Sequence, residues 1–269
     1  MMKISVITPT YNSEKTIAEN IISVLSQSYN QIEHIIIDNC SSDATLKIVK
    51  DLYSKSKSLK KLILISEKDD GIADAFNKGI KNASGDVITI LNGDDKYFSE
   101  KVFKKATEAL SNDNILFVHG DILFVDEIYG TNIRKPLMCD IRIAFPFNHP
   151  TMFVKKKLFD EIGTFNKNYS CAMDFEWVCR IYKRYNPENI SLYISGEPLV
   201  VMKAGGVSWQ REIETILETK TALKYYNLWD TKAWWPHNLR IIRTSVKLLI
   251  NQFNLNWIVK TWRKIKWKN

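Results

Sequence analysis

Several features that would place this chain in a familiar class are missing from its 269 residues. It has only four cysteines and no CxxC spacing, so neither a zinc site nor a disulfide framework is predicted, and reduced thiols are expected. No apolar run approaches the roughly 18 residues that a membrane span needs. The four histidines do not group as metal ligands, and no Ser-His-Asp or Cys-His arrangement is indicated.

Glycine-rich phosphate loops are missing too. The chain has neither a GxxxxGK[ST] loop nor a GxGxxG fingerprint, which argues against a P-loop protein and a dinucleotide-dependent enzyme. A nucleotidyltransferase is disfavoured because no glycine-rich loop that carries Lys or Arg appears. A phosphorylated ligand would therefore have to be held chiefly by a metal and by scattered polar groups.

Acidic residues are absent after Asp230. The segment 231–269 carries nine Lys or Arg and five of the eight tryptophans, whereas the whole chain has a net charge of +8. The body before it is therefore close to neutral. We expect one large domain at 1–230, with a nucleotide half at about 1–115 and a second half at 116–230, followed by a basic, Trp-rich tail.

Strand-like and helix-like segments alternate through the first half of the chain. Short strands that alternate with helices predict an α/β fold, with a mostly parallel sheet covered by helices on both faces. Because Pro9 breaks the N-terminal run so early, that run is expected to be a first strand and not a signal peptide. The predicted strands are 3–8, 32–37, 62–66, 87–91 and 199–202, with a β-rich run at 115–125. The predicted helices are 14–28, 44–53, 72–80, 100–110, 155–162 and 175–185.

Polar clusters follow four of these strands, at residues 10–12, 38–39, 67–70 and 92–95. In an open α/β sheet, ligands bind at the carboxyl edge of the strands. The last cluster, Gly93-Asp94-Asp95, places two adjacent carboxylates after an apolar strand. Mg²⁺ or Mn²⁺ would relieve the repulsion between Asp94 and Asp95 and the cost of desolvating them. A solvated turn is the alternative.

Three other positions could do chemistry or bind a ligand. Asp174, at the start of a predicted helix, could be a base with a raised pKa, or it could be an N-cap or helix-dipole partner. His149 lies in a predicted loop, where it could belong to a site or be structural. Tyr11 could stack on a base or pack in a turn. Glu176 is expected to be solvated or paired with Arg180 at i+4.

The tail combines an apolar stripe with basic residues. Apolar residues recur at helical spacing from Leu239 to Phe253, beside Arg240, Arg243 and Lys247. Basic, amphipathic segments that contain Trp bind the interface of anionic membranes, which is our first expectation. A helix packed on the body with a solvated basic face is the second, and nucleic acid is not expected to be a partner.

Taken in their order along the chain, the motifs of the main domain resemble those of the family 2 glycosyltransferases. The resemblance implies the GT-A fold, a Rossmann-like nucleotide-binding half with a mostly parallel sheet, here followed by C-terminal amphipathic helices. The resemblance covers roughly residues 3–210. Its most specific stretches are residues 5–12, 37–45, 70–79, 83–86 and 92–95. Residues 148–153 and 172–176 look like the acceptor side of the bacterial polysaccharide branch.

The resemblance implies a role for each site. Asp94 and Asp95 would serve the family's DXD function and hold Mn²⁺ or Mg²⁺, and Asp174 would be the catalytic base. Residues that bind the nucleotide-sugar would be Pro9, Thr10, Tyr11, Asp38, Asp69, Lys78, Asn92, Gly93 and Asp94. The acceptor side would include His149 and Glu176.

Three positions depart from the family pattern. Asn92 stands where many members have an Asp, so metal binding would rest on the last two acids. Asn39 stands where some members have a second Asp that contacts uracil, and Met173 precedes Asp174 where a Glu is expected.

The sequence therefore predicts an inverting glycosyltransferase. Its donor would be a nucleotide-sugar, with a UDP-sugar as the leading candidate. Its acceptor would be a lipid-linked saccharide in bacterial cell-surface polysaccharide synthesis, such as O-antigen or capsule. The protein is expected to be cytoplasmic and attached peripherally to the inner face of the membrane. The rival interpretation is a noncatalytic nucleotide-sugar-binding scaffold at the membrane surface.

Overall fold

A computed structural model describes residues 1–56, 60–126, 130–206 and 211–252 of the chain. Strands and helices alternate through the first half, as β1 (Ile4–Thr10), α1 (Ile17–Leu25), β2 (Ile32–Asp38), α2 (Thr45–Lys55), β3 (Lys61–Ser66), α3 (Ile72–Asn82) and β4 (Val87–Ile90). Next come β5 (Lys96–Tyr97), α4 (Val102–Ala109), β6 (Phe117–Gly120), β7 (Ile122–Asp126) and β8 (Gly130–Arg134). A 3-10 turn (His149–Thr151) precedes β9 (Phe153–Lys155), α5 (Lys156–Ile162), α6 (Met173–Arg184), α7 (Pro187–Ile190), β10 (Ser191–Ile194), β11 (Val200–Lys203), α8 (Glu212–Tyr225) and α9 (Thr231–Gln252).

The main sheet confirms the predicted α/β architecture. Its seven described strands run in the order β10-β6-β9-β4-β1-β2-β3, and neighbours are parallel except where β9 pairs with β4 and β6. Strand β2 is buried along its whole length, as expected for a central strand covered on both faces. A second sheet has the order β5-β11-β7-β8.

The register of the parallel strands brings their carboxyl ends to one level. Thr10 of β1 pairs with Asp38 of β2, and Asp38 pairs with Ser66 of β3. On the other side of β1, Ile7 pairs with Ile90 of β4. The polar residues that follow these strands therefore meet at one edge of the sheet.

Three parts of the second half differ from the sequence prediction. Helices α7 and α8 were not predicted. The β-rich run 115–125 is two strands, β6 and β7, which belong to different sheets on either side of Asp121. Leu199 packs closely beside Gly120, where an added Cβ would lie 2.8 Å from the leucine side chain. Strands β5, β8, β9 and β10 were not predicted, because two to five residues are too few to show a clear period.

Helix α9 packs on α8 through a narrow face. Ala233, His237 and Thr244 are buried, and the His237 Nε2 atom lies 3.0 Å from the Thr219 hydroxyl of α8. The opposite face leaves large apolar side chains exposed: Trp234, Trp235, Leu239, Ile242, Val246, Leu248 and Leu249. The rest of the predicted tail, with Phe253, Trp257, Trp262, Trp267 and the last basic residues, lies outside the described residues. None of the described helices is long and apolar enough to cross a membrane.

Candidate active site

A cleft of about 530 Å³ lies at the carboxyl edge of the main sheet, beside the end of β11. That volume is in the range of small-molecule sites. Seven of the predicted nucleotide-sugar residues line it, namely Pro9, Thr10, Tyr11, Asp69, Asn92, Gly93 and Asp94. Asn39, from the polar cluster after β2, also lines it. Residues that the sequence did not propose for the site complete the wall: Ser13, Gly71, Ile72, Ala75, Phe124, Met202, Lys203, Gly205 and Gly206.

The chain turns away from β1 at the rim of this cleft. Tyr11 is 60% exposed there, so its ring is accessible to a ligand and is not packed in a turn. Asn12, which follows it, has a φ of 46°, a left-handed conformation that Asn tolerates better than most residues. Its Oδ1 atom accepts a hydrogen bond from the Ser42 backbone N–H at 2.9 Å, which ties the loops after β1 and β2 together.

The Gly93-Asp94-Asp95 turn holds two acids in different environments. Asp94 is exposed and lines the cleft, whereas Asp95 is only 2% exposed. Burial and the neighbouring charge of Asp94 raise the pKa of Asp95 well above its usual range. Gly93 lies close to β1: a Cβ there would be 3.2 Å from the Thr10 hydroxyl, a tight contact.

Three buried oxygen atoms at this turn have no hydrogen-bond partner among the described residues: Asp95 Oδ2, Asn92 Oδ1 and Thr10 Oγ1. Leaving a buried polar atom unpaired costs on the order of 1–3 kcal/mol. Carboxylate and amide oxygens are also the ligands that Mg²⁺ and Mn²⁺ prefer. The donor set therefore fits a hard divalent cation, with the amide of Asn92 available beside the two acids.

Asn20 of α1 fixes this turn and was not found from the sequence. It is fully buried, and its Nδ2 atom donates to the backbone carbonyls of Asn92 at 2.9 Å and Asp95 at 3.1 Å. A polar residue on the buried face of an otherwise amphipathic helix was the only available signal. Nothing in the sequence specified which turn it would reach, 72 to 75 residues away.

The structure does not bring Asp38 to the cleft, which corrects one prediction. Its carboxylate is fully buried and accepts hydrogen bonds from the Ser41 backbone N–H, the Ser41 hydroxyl and the Ser66 hydroxyl. The next residue, Asn39, lines the cleft instead and accepts the Asp69 N–H at 3.0 Å. Burial raises the pKa of Asp69, which also lines the cleft.

Lys78 is a second correction. Its ammonium group lies 3.0 Å from Glu67 and 3.3 Å from Asp74, and it donates to the Lys68 carbonyl, so these partners hold it outside the cleft lining. The cation in the lining is Lys203, at the end of β11. Because β11 belongs to the second sheet, sequence order alone did not connect Lys203 with this site.

Asp174 is the second residue of α6 and is partly buried. The N-cap is Ala172, so the predicted alternative of an Asp174 N-cap is wrong, whereas its position in the first turn still suits a helix-dipole partner. Burial raises the pKa of Asp174, and the neighbouring His149 partly opposes that shift. Asp174 is not among the residues that line the cleft. His149, whose charge acts on Asp174, has its ring 5.9 Å from that of Phe76, which follows the lining residue Ala75 in the sequence.

Glu176 does not face an acceptor. It is 1% exposed, its Oε2 atom lies 2.9 Å from Arg180, and its Oε1 atom accepts the hydroxyl of Tyr226. The predicted pairing with Arg180 is therefore confirmed and the predicted solvation is wrong, while the two protein partners of its carboxylate argue against the expected acceptor-side role. Packing against α8 buries this face of α6.

Comparisons with known proteins place these observations in a family. The model of "Glycosyl transferase family 2" matches residues 5–181. An uncharacterised glycosyltransferase of Haemophilus influenzae is 36% identical over 134 residues, which are 50% of this chain and 52% of the relative. The matched region thus spans about half the length of that relative.

Two solved structures share the fold. S. aureus TarS 1-349, in complex with UDP-GlcNAc, superposes with a TM-score of 0.63 at 21% identity, over 82% of this chain and 66% of TarS. The mannosyltransferase PcManGT from Pyrobaculum calidifontis, in complex with GDP-Man and Mn²⁺, gives 0.63 at 16% identity, over 94% of this chain and 80% of that protein. At these identities the likeness concerns the fold alone.

Proposed function

Because this chain belongs to glycosyl transferase family 2, we propose that it moves a sugar from a nucleoside diphosphate donor to a hydroxyl group of a saccharide acceptor. The observation that carries the proposal is the cleft at the sheet edge, which Asp94 lines. In the same turn, the buried Asp95 Oδ2 and Asn92 Oδ1 atoms have no hydrogen-bond partner among the described residues. The nucleotide-sugars bound by TarS and PcManGT are consistent with it and differ in base, so a UDP-sugar remains only the first donor to test.

Each part of the donor has a matching part of the cleft in this proposal. Tyr11 offers a ring face to the base, and Asn39 and Asp69 offer hydrogen bonds to the nucleoside. Lys203 stands at the other wall, where a positive charge suits the diphosphate. Asp94 and Asp95, with the amide of Asn92, would hold Mn²⁺ or Mg²⁺. When bound, the cation would neutralise the negative charge that develops on the leaving diphosphate.

Asp174 is the proposed base. Its carboxylate takes the proton of the acceptor hydroxyl, whose oxygen forms a bond to the anomeric carbon as the bond to the diphosphate oxygen breaks. The diphosphate leaves with the bonding electrons. A single displacement of this kind inverts the anomeric centre. Burial keeps the pKa of Asp174 raised, which strengthens it as a proton acceptor.

A lipid-linked acceptor at an anionic membrane surface is the finer proposal, with cell-surface polysaccharide as the product. Its support is the exposed apolar face of α9, where Ile242 is 58% and Trp235 is 63% exposed. The segment that begins with this helix carries basic residues and no acid, so its charge complements anionic lipid headgroups. On this proposal the protein works at the inner face of the cytoplasmic membrane.

Hydrolysis of a panel of UDP-, GDP- and dTDP-sugars by the purified protein tests the enzyme, because water can replace the unknown acceptor. We expect slow hydrolysis of at least one donor with Mn²⁺, its loss on chelation, and a fall of about 1,000-fold in Asp174→Asn with donor binding spared. Full turnover by Asp174→Asn would remove Asp174 from the mechanism. Nucleotide-sugar binding without hydrolysis of any donor would favour the noncatalytic scaffold instead.

A further inference from the structure

One carboxylate holds the chain segment that leads into Asp174. Glu218 of α8 accepts three backbone hydrogen bonds, from Ser170 at 2.8 Å, Cys171 at 2.9 Å and Ala172 at 2.8 Å. These residues lie 46 to 48 positions away in the sequence. Ala172 is the N-cap of α6, and no side chain caps that helix within its own segment.

The three contacts hold the chain just before the helix begins. Their N–H groups belong to the N-cap residue Ala172 and to the two residues before it, and not to the first turn of α6. A carboxylate supplies strong, charge-assisted acceptors and also suits the positive end of the helix dipole. Glu218 therefore fixes the backbone immediately before the helical turn that presents Asp174.

Helix α8 is itself held on two sides. Its Ala222 and Leu223 are buried in the same core cluster as Phe175 of α6. On the other side, Glu212 accepts the Thr244 hydroxyl at 3.0 Å and pairs with Lys247 at 2.8 Å, both from α9. Glu218 is thus attached to a supported helix and not to a loop.

We propose that Glu218 is a positioning residue for Asp174, holding the entry to α6 so that the carboxylate meets the acceptor hydroxyl. This inference rests on the proposed function, since it needs Asp174 to be the base. Two charged or titratable side chains act on Asp174 from neighbouring elements. His149, from the 3-10 turn, lowers its pKa and Glu218 raises it, while burial makes the largest contribution and raises it.

The test compares Glu218→Gln with Glu214→Gln, the same substitution one turn earlier on α8. Glu214 is a suitable control because its carboxylate pairs with Arg211 at 2.6 Å and accepts none of the three backbone N–H groups. The readout is hydrolysis of the donor that the wild-type protein cleaves fastest, with kcat and KM measured across pH. We expect Glu218→Gln to lower kcat about 10-fold at unchanged KM for the donor.

The pH profile separates positioning from mere stability. Removing the negative charge of Glu218 lowers the pKa of Asp174, so the acidic limb of kcat should move to lower pH in Glu218→Gln. Glu218→Asp keeps the charge but shortens the reach, so it should lower kcat without moving that limb. This second variant also decides the matter if Glu218→Gln does not fold.

Failure of the positioning role of Glu218 and failure of Asp174 as the base would give different experimental results. If Asp174→Asn is inactive but both Glu218 variants match Glu214→Gln in kcat and pH profile, the positioning role is wrong and the proposed base stands. If Asp174→Asn turns over at the wild-type rate, the base and the positioning role fall together.

Discussion

The turn after β4 and helix α6 each contain a buried carboxylate, and the two differ in their partners. Asp95 is 2% exposed and Glu176 is 1% exposed. Both oxygens of Glu176 have protein partners, Arg180 and Tyr226, whereas Asp95 Oδ2 has none among the described residues. Burial by itself therefore does not identify a ligand site, but a buried carboxylate oxygen without a protein partner is the feature that distinguishes Asp95 from Glu176.

The first test of this comparison concerns Asp95. Asp95→Asn should weaken Mn²⁺-dependent binding of UDP more than about 100-fold. Mutation of a residue that only supports a metal ligand already lowers metal affinity by about 10- to 100-fold, and loss of a ligand should cost more. Without metal, the same variant should be more stable than the wild type at neutral pH, because burial and the charge of Asp94 disfavour the ionised form of Asp95 in the folded protein. Calorimetric titration with and without Mn²⁺ measures the first effect, and urea unfolding in a chelator measures the second.

Asp51→Asn is the matched control for that pair of experiments, because Asp51 is an exposed residue on α2 away from the cleft. It should change neither quantity. An Asp95→Asn protein that binds UDP as the wild type does, or that is less stable without metal, would mean that Asp95 is a structural acid like Glu176.

Glu176 gives the opposite expectation. Glu176→Ala should destabilise the protein by about 3–5 kcal/mol, because it removes a buried carboxylate and leaves the partly buried Arg180 without its charged partner. Mn²⁺-dependent binding of UDP should remain unchanged. Urea unfolding and calorimetry on the same variant check both statements, and a loss of nucleotide affinity in a folded Glu176→Ala protein would contradict this division of roles.

A third buried acid extends the comparison to the opposite end of the main sheet. Glu33, on β2, is fully buried. Burial opposes its ionisation, but hydrogen bonds from Lys3, Ser5 and Ser84 outweigh that cost and lower the pKa of Glu33 to about 2. A lowered pKa in the folded state means that the ionised group stabilises the fold above the unfolded pKa of about 4.5, and that this stability is lost as the pH falls towards 2.

Glu33→Gln should therefore reduce stability at pH 7, and the difference from the wild type should shrink between about pH 4.5 and pH 2. Unfolding by urea at several pH values measures the difference. A gap between the two proteins that stays constant over that range would show that Glu33 contributes through packing and not through its charge.

The sequence predicted the residues at the carboxyl edge of the sheet better than the surroundings of α6, for a physical reason. Parallel strands with short connections bring their carboxyl ends together, so residues after β1, β3 and β4 could be placed at one edge from strand order alone. Which polar group would face the cleft could not be predicted. Ser41 and Ser66 satisfy Asp38, so Asn39 takes its place in the lining.

The arrangement of side chains around α6 depends on contacts between segments that are distant in the sequence. Glu176 meets Tyr226, 50 residues away, and Glu218 meets the entry to α6 over a similar separation. Neither contact leaves a periodic pattern or a local motif in the sequence. They follow from how α8 packs against α6, which only the assembled fold determines.

The smallest expected effect concerns α9, where the apolar face has no acid beside it. Ile242→Glu should weaken binding to vesicles of phosphatidylcholine with phosphatidylglycerol about 10-fold, because it removes an apolar anchor and adds repulsion from the anionic headgroups. Leu192→Glu is the matched control, since Leu192 is 44% exposed on β10 and lies outside the basic segment. Co-sedimentation with vesicles measures both variants, and nucleotide binding should be unchanged in each.

Equal losses of vesicle binding in the two variants would indicate nonspecific adsorption of apolar side chains, and no loss in Ile242→Glu would favour the packed helix with a solvated face. Two results together are expected only if α9 recognises an anionic surface. Vesicle binding falls in Ile242→Glu but not in Leu192→Glu, and Ile242→Glu and the wild type do not differ on vesicles of phosphatidylcholine alone.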